Sequence, residues 1–304
     1  MPLLATSAAG ANGDGLGALL AFDDEGRFLG KFSDDGRIAD RRGLSVNRRQ
    51  GLLFLNSGGD RVLALDADGM VVRDTGQIEA FNPGGGIFGP DGRYYVGSRS
   101  RRNVMVFGSH LKPDGENFLP TAVVPFPRGF AFGHDGRLFL ASGIGPNVVG
   151  DNAIVAFERD ECTLLPVLLV SDPELSPLDL TIAPNGNIVV SSEHPFGAPN
   201  AVTSVREYDA RSGHLVRIFS AAGLAEFRRP RGLRFGPDGN LYCVSRDEVV
   251  SFDPDSGRCL GIAVRFPRYT VRRSSFSLNI CRTREPKVDN SRIKNNRNSG
   301  RAKT

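Results

Sequence analysis

One short phrase recurs five times along the chain, and it constrains the fold more than any other feature. GLSVNRRQGLLFLNS (43–57), GIFGPDGRYYVGS (86–98), GFAFGHDGRLFLAS (129–142), DLTIAPNGNIVVSS (179–192) and GLRFGPDGNLYCVS (232–245) share one order. Each sets an apolar run, a turn, a second apolar run and a closing serine: Ser57, Ser98, Ser142, Ser192 and Ser245. In the last four the turn carries Asp-Gly or Asn-Gly, the strongest short-range hairpin signal, because such turns need residues that tolerate positive φ. The first repeat uses residues 47–51 instead and is one residue longer. A loop follows each serine, then a third run that ends in an aromatic residue or aspartate: VLALD (62–66), VMVF (104–107), IVAF (154–157), VREYD (205–209) and VVSFD (249–253). A second turn, such as DADG (66–69) or DPDSG (253–257), opens into a fourth run such as HLVRIF (214–219).

Four short strands every 43–53 residues describe the blade of a β-propeller, whose sheets are protected at their edges by radial packing. Helical periodicity is nearly absent; residues 221–229 are expected to form one or two turns at most. ALLAFDDEGRFLGKF (18–32) reads as strand, turn, strand and matches the outer half of a blade. Its inner half is expected from the C-terminus, because Phe266-Pro267-Arg268 repeats Phe126-Pro127-Arg128, the approach to an inner strand. The expected fold is therefore all-β: a six-bladed β-propeller of four-stranded blades, with the first blade shared between the termini. Residues 269–280 lack the apolar–turn–apolar pattern and carry Arg272 and Arg273 where other repeats place core residues, so closure is expected to be imperfect. The reading divides the chain into an irregular segment 1–17, a propeller 18–280 and a basic, disordered tail 281–304 unrelated to the repeat.

Composition narrows the function classes. The net charge of +4 has two parts: residues 265–304 hold twelve Lys and Arg against Glu285 and Asp289, and the preceding 264 hold 26 basic against 32 acidic residues. The body thus gives no broad phosphate-binding footprint, and sequence-specific nucleic-acid binding is not expected. Cys162, Cys243, Cys259 and Cys281 show neither CxxC nor a paired Cys/His spacing, so no zinc site or disulfide framework is signalled. The first 17 residues lack a basic n-region and a long enough apolar run for a signal peptide, and no stretch nears the ~20 apolar residues of a membrane span. A cytoplasmic, monomeric protein is expected.

The pattern G-[LF]-x-F-G-P-D-G-x-L-[YF], followed by V-x-x-[FY]-D, resembles NHL-repeat propellers and the wider senescence-marker-protein/gluconolactonase and virginiamycin-B-lyase group over about residues 18–268. That superfamily includes lactonases, lyases and pure binding scaffolds, so the resemblance implies architecture and leaves the chemistry open. Its gluconolactonase-like members hold a divalent metal with a Glu, two Asn and an Asp, and carry Asn before a Gly-Leu inner strand. Here that position holds Arg42, Arg128 and Arg231, with Gly84 and Leu178 in the other two complete blades. Residues 269–280, where the Glu strand should lie, contain no acid; Asp179 is the one plausible survivor of the set.

Two readings of function follow. In the first, Arg42, Arg128, Arg231 and Arg268 occupy one slot in successive blades and converge on one mouth of the central channel. Guanidinium groups there suit a small anionic ligand or an acidic peptide, with no cofactor and no metal. The competing use of these arginines is to pair with carboxylates or loop carbonyls of neighbouring blades. In the second reading the protein is a lactonase-like hydrolase or lyase at the same mouth, with Asp179, Glu193 and His194 as catalytic candidates and a divalent metal as cofactor. Glu193 and His194 open the long loop 193–204, and long loops on a rigid scaffold commonly carry sites. Other motifs dissolve on inspection. Asp66-Ala67-Asp68-Gly69 starts like a calcium loop but has Gln77 at its twelfth position. Gly84–Gly89 matches G-x-G-x-x-G but enters a strand with no helix after it. His110, His134 and His214 are dispersed over turns. The strand-end serines are expected to hydrogen-bond between blades, and Arg99, Arg101 and Arg102 to form a solvated charge cluster.

Overall fold

The computed structural model describes residues 3–7, 18–33, 35–38, 42–57, 60–114, 119, 126–142, 152–160, 163–222, 224, 227–246, 248–266 and 278–280. These residues form six antiparallel sheets arranged as a six-bladed β-propeller. Blade 1 comprises Gly43–Asn47, Leu52–Ser57, Arg61–Leu65 and Val71–Asp74. Blade 2 comprises Pro83–Phe88, Tyr94–Ser98 and Asn103–Phe107, with its outer edge continued by the single bridges Phe107–Pro113 and Val104–Leu119. Blade 3 runs Pro127–Phe132, Leu138–Ser142, Ala153–Asp160 and Thr163–Ser171; blade 4 runs Pro177–Ile182, Ile188–His194, Val202–Tyr208 and Leu215–Phe219. Blade 5 is Pro230–Phe235, Leu241–Ser245, Glu248–Phe252 and Cys259–Arg265. No helix occurs among the described residues, and none is long and apolar enough to cross a membrane; in 221–229 the Leu224 N–H donates to Ala221 O at 3.2 Å, and 223, 225 and 226 lie outside the described residues.

Blade 6 joins the two ends of the chain, in a different division from the one expected. Its order is Leu278–Ile280, Leu3–Ser7, Ala18–Phe22 and Phe28–Ser33. The C-terminal side thus supplies one inner strand rather than an inner hairpin, and the N-terminal side supplies three. Within 1–17, read as irregular, Leu3–Ser7 is a strand paired along its length with Ala18–Phe22. The reason is alternation: Leu4 and Ala5 are fully buried and enter different cores, one against blade 1 and the other against blade 5. Five residues without an Asp-Gly turn left no hairpin signal in the sequence. Leu278, Asn279 and Ile280 pair with Ala5, Leu4 and Leu3, and this strand packs between the inner strands of blades 5 and 1. Residues 8–17, 269–277 and 281–304 lie outside the described residues.

The core is divided among the blade interfaces. Six buried clusters each lie between two neighbouring blades. Phe54 and Leu52 face blade 2, whereas Leu53 and Leu55 face blade 6, so both faces of one strand are buried. This explains the unbroken apolar runs of the second strands, which a sheet covered on one face would not need. In the hairpin turns Asp91, Asp135 and Asp238 accept the backbone N–H two residues on, and the glycine of each turn has positive φ.

Two predictions follow from this packing. Gly129 lies in the inner strand Pro127–Phe132, and a Cβ there would collide with Asp179 of the next blade. Gly129→Ala should cost about 1–3 kcal/mol of unfolding free energy in urea titration, because two inner strands must separate. The turn aspartates make stability acid-sensitive. Asp209 and Asp253 sit below the ordinary carboxylate range, chiefly through backbone N–H groups of Ser212 and Ser256, and Asp35 is held down to about 2, chiefly by the Arg37 side chain. A depressed folded pKa contributes stability above the unfolded value of about 4 and loses it as pH falls through the folded one. Thermal melts should therefore be flat from about pH 7 to 5 and fall between about pH 4 and 2.

Candidate functional site

Inner strands begin and second strands end at the same face of the ring, and there the closing serines act. Ser57 Oγ donates to Arg37 O (2.7 Å), Ser98 Oγ to Phe81 O (2.6 Å) and Ser245 Oγ to Arg228 O (3.0 Å); Ser192 Oγ accepts the Ser176 N–H (2.9 Å). Each bond pins the connection that enters the serine's own blade, which corrects the expectation of a bond to another blade. Ser192 Oγ is thereby occupied by the Ser176 backbone N–H, and no base lies at it among the described residues. Ser142 Oγ is buried without a partner among the described residues.

Arg42, Arg128 and Arg231 stand at the starts of the inner strands of blades 1, 3 and 5, and each is held by protein acceptors. Arg42 Nη1 donates to Asn82 Oδ1 at 2.5 Å, on the approach to blade 2. Arg128 is buried and donates Nη1 to Pro177 O at 3.3 Å, at the start of blade 4. Arg231 Nη1 pairs with the buried Glu193 carboxylate at 2.8 Å and also reaches Pro230 O at 2.9 Å. Burial pushes the Arg231 pKa down, with Glu193 opposing that shift. Arg268 lies outside the described residues.

Sequence reasoning missed the aromatic rings that organise these cations. Phe126 lies beneath both Arg99 and Arg128, with guanidinium-to-centroid distances of 5.8 and 5.6 Å. Phe196, from the loop that Glu193 and His194 open, lies between Arg128 at 4.3 Å and Arg231 at 5.6 Å. Arg99, Phe126, Arg128, Phe196 and Arg231 thus form an alternating cation–aromatic ladder across blades 2 to 5, each contact worth ~0.5–2 kcal/mol. The Phe-Pro-Arg approach was the available signal; Phe196 gave none, since its contacts come from blades distant in sequence. The cluster 99–102 is also more differentiated than a solvated patch. Arg101 donates Nε and Nη2 to Glu79 O, while Nε and Nη2 of Arg99 are buried with no partner among the described residues.

The three catalytic candidates are not assembled for acid–base work. Asp179 accepts the N–H groups of Leu180 and Leu233, each at 3.0 Å, and pairs with Arg234 at 2.9 Å, so it ties blade 4 to blade 5. Glu193 is committed to Arg231. His194 is its neighbour in a paired strand, and consecutive strand residues point to opposite faces; its buried Nδ1 has no partner among the described residues. Among the described residues no three His, Cys, Asp or Glu side chains converge as metal ligands. Asp179, the one survivor of the metal-binding set, already accepts from two backbone N–H groups and pairs with a guanidinium. Cys243 is buried, which pushes its thiol pKa up.

Comparison with solved structures places this geometry among propellers. A gluconolactonase from Xanthomonas campestris superposes with a TM-score of 0.61 at 18% identity, covering 88% of this chain and 85% of its own. A protein of unknown function from Bacteroides caccae gives 0.60 at 11% identity, covering 91% and 99%. A virginiamycin B lyase from Staphylococcus aureus gives 0.52 at 12% identity, covering 73% and 69%. The fold is shared with the gluconolactonase and virginiamycin-B-lyase propellers. No protein-family model matches the chain, and no curated protein matches it in sequence. At these identities the likeness extends to the propeller and not to its chemistry.

Glu193 and Arg231 make a buried pair whose loss should be asymmetric. Glu193→Gln is expected to cost about 3 kcal/mol or more, because it leaves a guanidinium buried and uncompensated. Adding Arg231→Met should recover part of that loss, and a double-mutant cycle by chemical denaturation measures the coupling.

Proposed function

We propose that this chain is a binding propeller whose arginine-rich face takes a small anion or an acidic peptide segment. The observation that carries the reading is the ladder of three guanidinium groups, Arg99, Arg128 and Arg231, spaced by Phe126 and Phe196 along the mouth. Cations held in rigid, partly desolvated positions attract anions more strongly than mobile surface arginines do.

Calorimetric titration of the full chain with citrate and with sulfate tests the reading. Both should bind, with affinity that falls as ionic strength rises. A silent titration with both anions overturns the proposal. So does hydrolysis of a lactone that requires an added divalent metal and is lost in Asp179→Ala, which would establish the hydrolase reading in its place.

A further inference from the structure

The arginine outside the repeated slot has the more telling geometry. Arg99 follows Ser98 at the end of a second strand, and its backbone N–H donates to Asn82 O, which fixes its position at the mouth. Its Nε and Nη2 are both buried, and neither has a hydrogen-bond partner among the described residues. These two nitrogens form one edge of the guanidinium plane, with parallel N–H groups that match two oxygens of one oxyanion. Leaving such an edge buried and unpaired is costly, and the cost falls on every ligand-free molecule. Arg101, two residues away, shows the contrast: its corresponding edge is spent on the Glu79 carbonyl. Sequence spacing alone does not separate the two.

We propose that the Nε/Nη2 edge of Arg99 is the anchoring point for an oxyanion with two coplanar acceptor oxygens, a carboxylate or a phosphate group. The assignment rests on the anion-binding reading of this face and names the residue that receives the anion. Phe126 lies over the guanidinium groups of both Arg99 and Arg128. The anion reaches the covered edge by displacing this ring, and Arg128 then supplies a second positive charge beside it. Arg99 is thus the specific ligand, and Arg128 a positioning charge.

The test uses the full chain with citrate and inorganic phosphate as separate probes, which distinguishes carboxylate from phosphate. Wild-type protein should bind at least one, and Arg99→Met should bind that probe at least about tenfold more weakly. Arg99→Lys keeps the charge but lacks the paired edge, so it should recover only a small part of the loss. Arg101→Met should bind as wild type does. In nitrogen-15 NMR of wild-type protein, the Arg99 Nε–H resonance should move downfield on titration, a readout that holds even if Arg99→Met folds poorly. Phe126→Ala should raise the association rate. Full affinity in Arg99→Met, full rescue by Arg99→Lys or a stationary Arg99 Nε–H resonance each overturns the Arg99 assignment while leaving an anion-binding face intact. An association rate unchanged in Phe126→Ala overturns the entry route. Failure of the wild type to bind either probe overturns both proposals.

Discussion

Everything in this molecule depends on sheets that are apolar on both faces. A blade such as Leu52–Ser57 with its neighbours buries Phe54 toward blade 2 and Leu53 and Leu55 toward blade 6. No blade can satisfy both faces unless it has a neighbour on each side, and a row of such blades leaves two raw faces until it closes into a ring. Closure is therefore the condition on which the six core clusters rest. The chain meets it by bringing Leu278–Ile280 beside Leu3–Ser7, with Leu4 completing the core against blade 1 and Ala5 the core against blade 5.

The same radial arrangement brings residues of different blades together at one end of the ring. Because every inner strand starts at one end of the ring, residues separated by dozens of positions in sequence become neighbours. Asp179 binds the backbone of Leu233 and the side chain of Arg234 in the next blade. Glu193 reaches Arg231, and Phe196 fits between Arg128 and Arg231. Polar groups that appear catalytic in isolation are thereby absorbed into the joints between blades. A carboxylate already held by a guanidinium, as Asp179 and Glu193 both are, is a fastening, since its lone pairs are directed at protein donors. Arg99 differs because its donor edge is buried and has no acceptor among the described residues.

Legibility was uneven for a physical reason. Hairpins are local: an apolar run, an Asp-Gly turn and a second run specify themselves within about fifteen residues, and the repeats read from the sequence coincide with the first two strands of blades 1 to 5. The serines were recognised as hydrogen-bonding residues, but their partners, such as Phe81 for Ser98, lie in the connection entering the same blade. Leu3–Ser7 escaped because its pairing partners on one side come from the opposite end of the chain. The arginine slot was visible as a repeat position, whereas Phe126 and Phe196 as spacers between guanidinium groups were not.

The sequence by itself determined the number of repeats, the all-β class, the positions of the turns and the equivalence of Arg42, Arg128 and Arg231 as one repeated position. These follow from period-two burial, turn chemistry and the equivalence of repeated positions, which are properties of neighbouring residues. The tertiary structure decided which strands close the ring, which carboxylates are spent on fastening blades and which guanidinium edge lacks an acceptor. Those outcomes depend on where side chains from different blades meet, and a contact between Glu193 and Arg231, or between Phe126 and Arg99, has no local signature in the chain.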